Sequence, residues 1–323
     1  MPTSNKILHE LEQLIHKSLP SVAGLPTRDQ IQVAILGGRG PFFYGNDAVG
    51  VKFEGDTIVG LGLFRCGLTA LPESFGQLES LRTLYIHYNQ LRTLPGSFGH
   101  LLSLKELYLD NNQLTTLPES FGNLKSLQTL DMSENQLTAL PESLGDLKSL
   151  QELGLGGNQL TALLESFGHL LSLKELNLDN NQLTTLPASI LQLKFLQFLG
   201  LEGNQLRTLP EPILQLKSLQ KLYLGGNQLT TLPESFGQLK ALQTLWIYNN
   251  QLMTLPESFG NLKSLQMLSI HNNQLTTLPA SFTQLSNLQM LDISGNPLDA
   301  KGKKILDQLK KNAKGVKIET KRK

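Results

Sequence analysis

Phosphate binding, thiol attack, metal ligation and carboxylate acid–base chemistry each need particular residues at particular spacings, and the 323-residue sequence was searched for all four. Gly40–Asp47 reads GPFFYGND, with two glycines at the spacing of a phosphate loop, but Asn46 and Asp47 stand where lysine and Ser/Thr are needed. Without the lysine nothing neutralises terminal phosphates, and the aspartate repels them. Gly38-Arg39-Gly40 is followed by Pro41-Phe42-Phe43, so the GxGxxG pattern fails as well. Cys66 is the only thiol, and the six histidines, His9, His16, His87, His100, His169 and His271, lie outside any HxxxH or CxxC context. No metal and no cofactor is expected. Glu106, Glu152 and Glu175 recur at one position of a repeated pattern, so no acid–base pair stands out from its copies. The chain reads as a non-enzyme. What it does set out at intervals is rings, and rings do the chemistry of recognition.

The rings are positioned by a 23-residue sentence written from Ile58 to Leu298. In Leu104–Leu124, LKELYLDNNQLTTLPESFGNL, leucines stand eight, five and three residues before Asn112 and two, five and twelve after it. Pro118 follows at six and Phe121 at nine. Sliding by 23 puts asparagine at Asn89, Asn112, Asn135, Asn158, Asn181, Asn204, Asn227, Asn250, Asn273 and Asn296, with Cys66 at the head. That makes eleven repeats without an insertion. In LxxLxL the last two leucines share one face of a strand. One short strand cannot bury that face alone, so neighbouring repeats must stack into a parallel sheet. The asparagine amide is expected to bond backbone groups of adjoining turns. Each proline is expected to stop regular structure. Phe75, Phe98, Phe121, Phe167, Phe236, Phe259 and Phe282 are expected to stack as a spine, with Leu144, Ile190 and Ile213 in the same slot. Leu164 stands where the other nine of the first ten repeats have proline, a loss read as neutral drift rather than as a loosened turn or hinge.

The LxxLxLxx(N/C)xL signature resembles the leucine-rich repeat. The LPxxF ending is similar to the 23-residue class found in intracellular eukaryotic scaffolds and many prokaryotic proteins. The resemblance implies an α/β solenoid, a curved horseshoe with a parallel sheet on its concave face and helical caps at both ends. It also implies a structural role for Cys66, since cysteine substitutes for the ladder asparagine and a buried thiol is inert.

Residues two, four and six before each asparagine alternate with the leucines and point outward from the strand face. Five of the six tyrosines and the only tryptophan fall there or one residue beyond. One group holds Tyr85, His87, Tyr88, Tyr108 and Asp110; a second holds Phe198, Tyr223, Trp246, Tyr248, Met267, His271 and Met290. Between them Gly154, Gly156, Asn177, Asp179 and Gly200 are small or polar. Eleven strands at ~4.8 Å spacing give a face roughly 50 Å long, enough for the ~800 Å² per partner of a standard interface. A protein partner on the concave face is therefore expected. The resemblance allows a small GTPase, a kinase or a phosphatase, and these residues do not select among them; a monomer is expected. The alternatives are a glycan or host-surface ligand of an exported bacterial protein, a small nucleotide-handling module in residues 1–57, and binding of nucleic acid or anionic lipid by the basic tail.

Residues 1–57 read as an N-terminal cap. Ser4–Leu19 has the apolar stripe of a helix, Ile31–Leu36 (IQVAIL) that of a short strand, Gly37–Gly50 is a loop, and Val49–Leu63 is a hairpin around Glu54-Gly55-Asp56. Residues 299–323 read as a helical cap with Ile305, Leu306 and Leu309 on one face, then a short strand at Val316 and Ile318. Net charge is +1, divided as −6 over residues 56–298 and +7 over 299–323. The basic end reads as a solvated face rather than a nucleic-acid or lipid site. One cysteine, no apolar leader and no apolar run near ~20 residues point to the cytoplasm, with leaderless export as the other route.

Overall fold

The computed structural model describes Glu10, residues 49–55 and residues 57–320. The helix expected over Ser4–Leu19, the Ile31–Leu36 strand and the loop up to residue 48 lie outside these, apart from Glu10, whose carboxylate accepts a hydrogen bond from Ser74 Oγ. The chain divides into two compact units. The first is Met1–Leu160 with His169–Leu173, and the second is Thr161–Gly168 with Lys174–Lys323.

In the first unit β1 (Val49–Glu54) and β2 (Thr57–Leu63) form the expected antiparallel hairpin. From β2 onward each strand pairs in parallel with the next: β3 (Thr83–Tyr85), β4 (Glu106–Tyr108), β5 (Thr129–Asp131) and β6 (Glu152–Gly154). The second unit carries β7 (Glu175–Asn177), β8 (Phe198–Gly200), β9 (Lys221–Tyr223), β10 (Thr244–Trp246), β11 (Met267–Ser269), β12 (Met290–Asp292) and β13 (Lys317–Glu319), again parallel. The register matches like with like. Leu84 faces Leu107 and Leu245 faces Leu268, so within each unit the inward leucines form a row. In the repeat of Asn112 the leucines at 104, 107, 109, 114 and 124 are fully buried. Each such side chain contributes about 1.5–3 kcal/mol of burial.

The residue before each ladder position turns the chain inward with a positive φ. Asn111, Asn180, Asn249 and Asn272 take φ 50–53°, Gly157, Gly203, Gly226 and Gly295 serve four further repeats, and Arg65, Tyr88 and Glu134 the remaining three. This is the left-handed region that Asn and Gly tolerate. The ladder residue then does what its position predicts. Asn227 Oδ1 accepts from Leu206 N at 3.0 Å, while its Nδ2 donates to the carbonyls of Leu201 (2.8 Å), Leu224 (3.1 Å) and Gly225 (3.3 Å). Cys66 departs from this pattern: it is only half-buried, and its Sγ makes one weak contact, 3.5 Å to Phe64 O.

Proline opens a turn rather than ending one, contrary to expectation. Pro118 (φ −69°) caps the 3-10 turn Glu119–Asn123, and its carbonyl accepts from Phe121 N at 2.9 Å. Pro lacks only the donor that a first-turn residue does not use. Leu164 makes the same bond, accepting from Phe167 N at 3.1 Å, so the turn Glu165–His169 is intact and not loosened. The phenylalanines stack as expected, Phe75–Phe98 at 6.1 Å and Phe98–Phe121 at 6.0 Å in the first unit, Phe236–Phe259 and Phe259–Phe282 at 5.8 Å in the second. Gly122 lets successive turns touch, since a Cβ there would lie 2.4 Å from Ser143 O.

The second unit ends on α1 (Ala300–Asn312). Asp299 caps it by accepting from Gly302 N at 2.7 Å, and Ile305, Leu306 and Leu309 are buried. This is the helical face that the sequence predicts. Two paired substitutions test which contacts hold the repeats. Asn227→Ala, which leaves buried backbone groups unpaired, costs about 2–4 kcal/mol in urea unfolding, whereas Cys66→Ala costs under about 1 kcal/mol. Gly122→Ala costs about 2–3 kcal/mol by overpacking, whereas Gly96→Ala, with nothing within 4 Å of its new Cβ, is neutral.

Candidate functional site

The outward residues of each strand lie in rows across the sheet, because parallel register sets position 23n over its copies. That row, not the single strand, decides what is exposed. In the first unit Tyr85 and Tyr108 are register partners whose rings stack at 4.9 Å, and Tyr85 is only 7% exposed. His87 packs on Phe64 at 4.8 Å and is 8% exposed. Asp110 is 4% exposed. Three of the five residues expected to face solvent here are therefore buried, covered by neighbours 23 residues away. Tyr108 and Tyr88 remain half-buried. Tyr88 holds a positive φ of 54°, unusual for a bulky residue. Arg65, itself at φ 51°, sets its guanidinium 5.0 Å from the rings of both Tyr88 and Phe64.

The acids of these rows were not distinguished from their copies in the sequence, but the structure separates them. Burial, then the neighbouring Asp131 carboxylate, pushes Asp110 up to about 7. Asn111 Nδ2 donates to it at 3.0 Å. Burial also raises Asp131, and burial followed by Glu106 raises the Tyr108 hydroxyl. In the second unit burial raises Asp179 to about 7 and raises Glu202. Asp179 Oδ1 accepts from Glu202 N at 2.7 Å. It fits there because its neighbour is glycine: a Cβ on Gly200 would sit 2.8 Å from that same oxygen.

The second unit keeps more of its rings in contact with solvent. Tyr223 and Trp246 are register partners stacked at 4.0 Å, and Phe198 meets Tyr223 edge-on at 5.1 Å. Phe198, Tyr223, Trp246 and Tyr248 are each half-buried. Tyr248 lies over Gly225, where a Cβ would come 2.6 Å from its ring, and stacks on His271 at 4.6 Å. Burial, then Glu202, pushes the Tyr248 hydroxyl up to about 12. His271 is 8% exposed, so it supports the ring rather than presenting itself. Its Nδ1 lies 3.0 Å from Asp292 Oδ2 and 2.8 Å from Ser269 Oγ. Met267 and Met290 are 40% and 42% exposed. Trp246, Tyr248, Met267, Leu268, Ser269, Met290 and Asp292 together line a cavity of about 260 Å³. Among the described residues no group of three His, Cys, Asp or Glu side chains is placed to hold a metal ion, and no helix is long and apolar enough to cross a membrane.

A leucine-rich repeat region model matches residues 60–155 and 157–254, and a leucine rich repeat model matches residues 254–298. The chain belongs to the leucine-rich repeat family. No curated protein matches it. Among solved structures it is similar to a leucine-rich repeat protein of Leptospira interrogans, with 34% identity over 80% of this chain and 83% of that one and a TM-score of 0.50. It is also similar to the Arabidopsis receptor kinase HAESA, solved with the peptide hormone IDA and the co-receptor SERK1, with 31% identity and a TM-score of 0.66. That match covers 76% of this chain but only 44% of the receptor. An internalin of Listeria monocytogenes shares the fold at 20% identity and a TM-score of 0.62, over 82% and 80% of the two chains. The family is generally one of non-enzymatic binding scaffolds, which accords with a strand face that carries rings.

The buried acids generate a test of the first unit. Burial lifts Asp110 above the roughly 3.9 of an unfolded aspartate, so the native state holds the extra proton. Its contribution is complete below about pH 4 and is lost as pH rises through 7. Asp110→Asn is therefore expected to leave urea stability unchanged at pH 4 and to raise it by about 1–3 kcal/mol at pH 8. An equal effect at both pH values would show that the carboxyl is not held protonated.

Proposed function

We propose that this leucine-rich repeat protein is a non-enzymatic binding module whose second unit holds a protein partner on the strand face. The observation that carries this is the Tyr223–Trp246 stack beside the cavity walled by Tyr248, Met267 and Met290. Trp, Tyr and Met are enriched in protein interfaces, and aromatic anchors there carry much of the binding energy. These rings are held by one another and by relief glycines, so little rotamer freedom remains to be lost on binding. The first unit offers less: Phe64, Tyr88 and Tyr108 are half-buried rings there, and Tyr85, His87 and Asp110 act as their support.

Residues 1–57 are read as a cap on the first repeat, on the strength of the β1–β2 hairpin and the Ser74–Glu10 contact. Residues 299–323 are read as the corresponding cap at the other end, with α1 covering the last core leucines. The basic face of α1 is assigned no ligand.

Trp246→Ala combined with Tyr248→Ala is expected to abolish capture of the partner by the full chain. Loss of the stacked pairs lowers stability by about 1 kcal/mol each, and the far-UV circular dichroism stays native. Undiminished capture by this variant would remove the second unit's strand face from the account.

A further inference from the structure

We propose that the partner reaches this face with an extended, cationic segment: one lysine or arginine seats in the cavity against Asp292, and a second, about six residues away, meets Glu202. The inference rests on the reading of the second unit's strand face as the partner-binding surface, and it specifies what binds there.

Three observations point to this chemistry. The first is charge. At the two rows nearest the ladder asparagines, the strands of the second unit and the residues just after them carry Asp179, Glu202, Asp292 and Glu319 and, among the described residues, no lysine or arginine. Lys221 and Lys317 stand at the opposite edge, paired with Thr244 and Met290. The second is the cavity itself. Its walls are the Met267 and Met290 side chains and the Trp246 and Tyr248 rings, and its polar end is Asp292 with Ser269. A long cationic side chain suits both parts, with its methylene stem on the methionines and its charge near a carboxylate and the Trp246 face turned away from Tyr223. At about 260 Å³ the space is below the roughly 300–1,000 Å³ of small-molecule sites and is the size of a side chain rather than of a ligand.

The third observation is unmet hydrogen bonding. Asp292 accepts from Ser294 N at 3.0 Å and Ser294 Oγ at 2.7 Å and faces His271. A carboxylate has about four lone-pair sites, so one is left for a donor. The Glu202 carboxyl takes a hydrogen bond from the Tyr248 hydroxyl, and its Oε1 is buried with no hydrogen-bond partner among the described residues. Four strand intervals separate Glu202 from Asp292, roughly 19 Å at ~4.8 Å each. An extended chain advances ~3.3–3.6 Å per residue, which gives the spacing of about six. The residues between the two cations would lie over the Tyr223–Trp246 stack.

The test uses Trp246, the single tryptophan of the chain, as its own reporter. The full-length protein is titrated with three ten-residue peptides of alternating valine and serine. They carry at positions 2 and 8 two arginines, two glutamines or two glutamates. The diarginine peptide is expected to shift Trp246 emission saturably, and the other two to bind at least tenfold more weakly. Asp292→Asn, which retains the acceptor for Ser294, and Glu202→Gln are each expected to weaken diarginine binding at least fivefold with native circular dichroism. Absence of a response to the diarginine peptide, or equal binding of the diglutamine peptide, overturns the proposal. So does an emission change that tracks self-association in sedimentation, which would make the occupant a second copy of the chain. Partner capture separates the two levels. If Trp246→Ala with Tyr248→Ala abolishes capture while Asp292→Asn with Glu202→Gln leaves it whole, the strand face stands and the cationic segment falls.

Discussion

A chain that turns back on itself every 23 residues sends backbone amides and carbonyls into its own apolar interior, and each must find a partner there. The side-chain amide of one asparagine per repeat supplies those partners. Asn112 takes the Leu91 N–H on its oxygen and gives its two protons to the carbonyls of Ile86, Leu109 and Asp110. Because one bond reaches 21 residues back and another 26, the amide fixes the distance between repeats as well as satisfying them. Strands of three residues and single 3-10 turns suffice as elements once that spacing is enforced. The leucine rows and the phenylalanine spine follow from it, since they require like residues to fall at like heights.

The same register governs the functional face. Side chains that point away from the core still bury one another when identical positions lie about 4.8 Å apart. Tyr85 disappears under Tyr108, and Asp110 is driven toward its protonated form by Asp131. Where a glycine occupies the neighbouring slot the effect reverses. Gly225 gives Tyr248 room to lie flat, and Gly200 admits the Asp179 carboxyl. The alternation of rings and glycines along the second unit therefore shapes relief into a surface that would otherwise be a uniform pleat.

Much of this was legible in the sequence. The ladder, the leucine rows, the Phe75 to Phe282 slot and the Ile305–Leu309 helix are local or strictly periodic signals, and each sits where the spacing put it. What was not legible depended on relations across repeats. Reading one strand at a time marks Tyr85, His87 and Asp110 as outward, which they are, and as exposed, which they are not. Asn or Gly precedes the ladder residue in eight of eleven repeats, and a positive φ explains it. Arg65, Tyr88 and Glu134 hold the same conformation without that help, and nothing in periodicity alone foretells that. Pro118 was read through its missing donor; its fixed φ, which suits the first position of a turn, proved the more informative property. Cys66 occupies the ladder position but cannot do an amide's work, so it is a weaker rung than the family resemblance implied.

The hydrogen bonds that join one repeat to the next span 21 to 26 residues along either unit. Contact order measured in residues is therefore set by the period and not by the length of the chain. Topological drag on folding, which ordinarily grows with the separation of contacting segments, stays constant as repeats are added. A protein built this way can gain or lose whole turns of its ladder while each remaining rung still meets a partner of the same kind. The near-identical stretches Gly99–Pro118 and Gly168–Pro187, three periods apart, have the form such growth would leave.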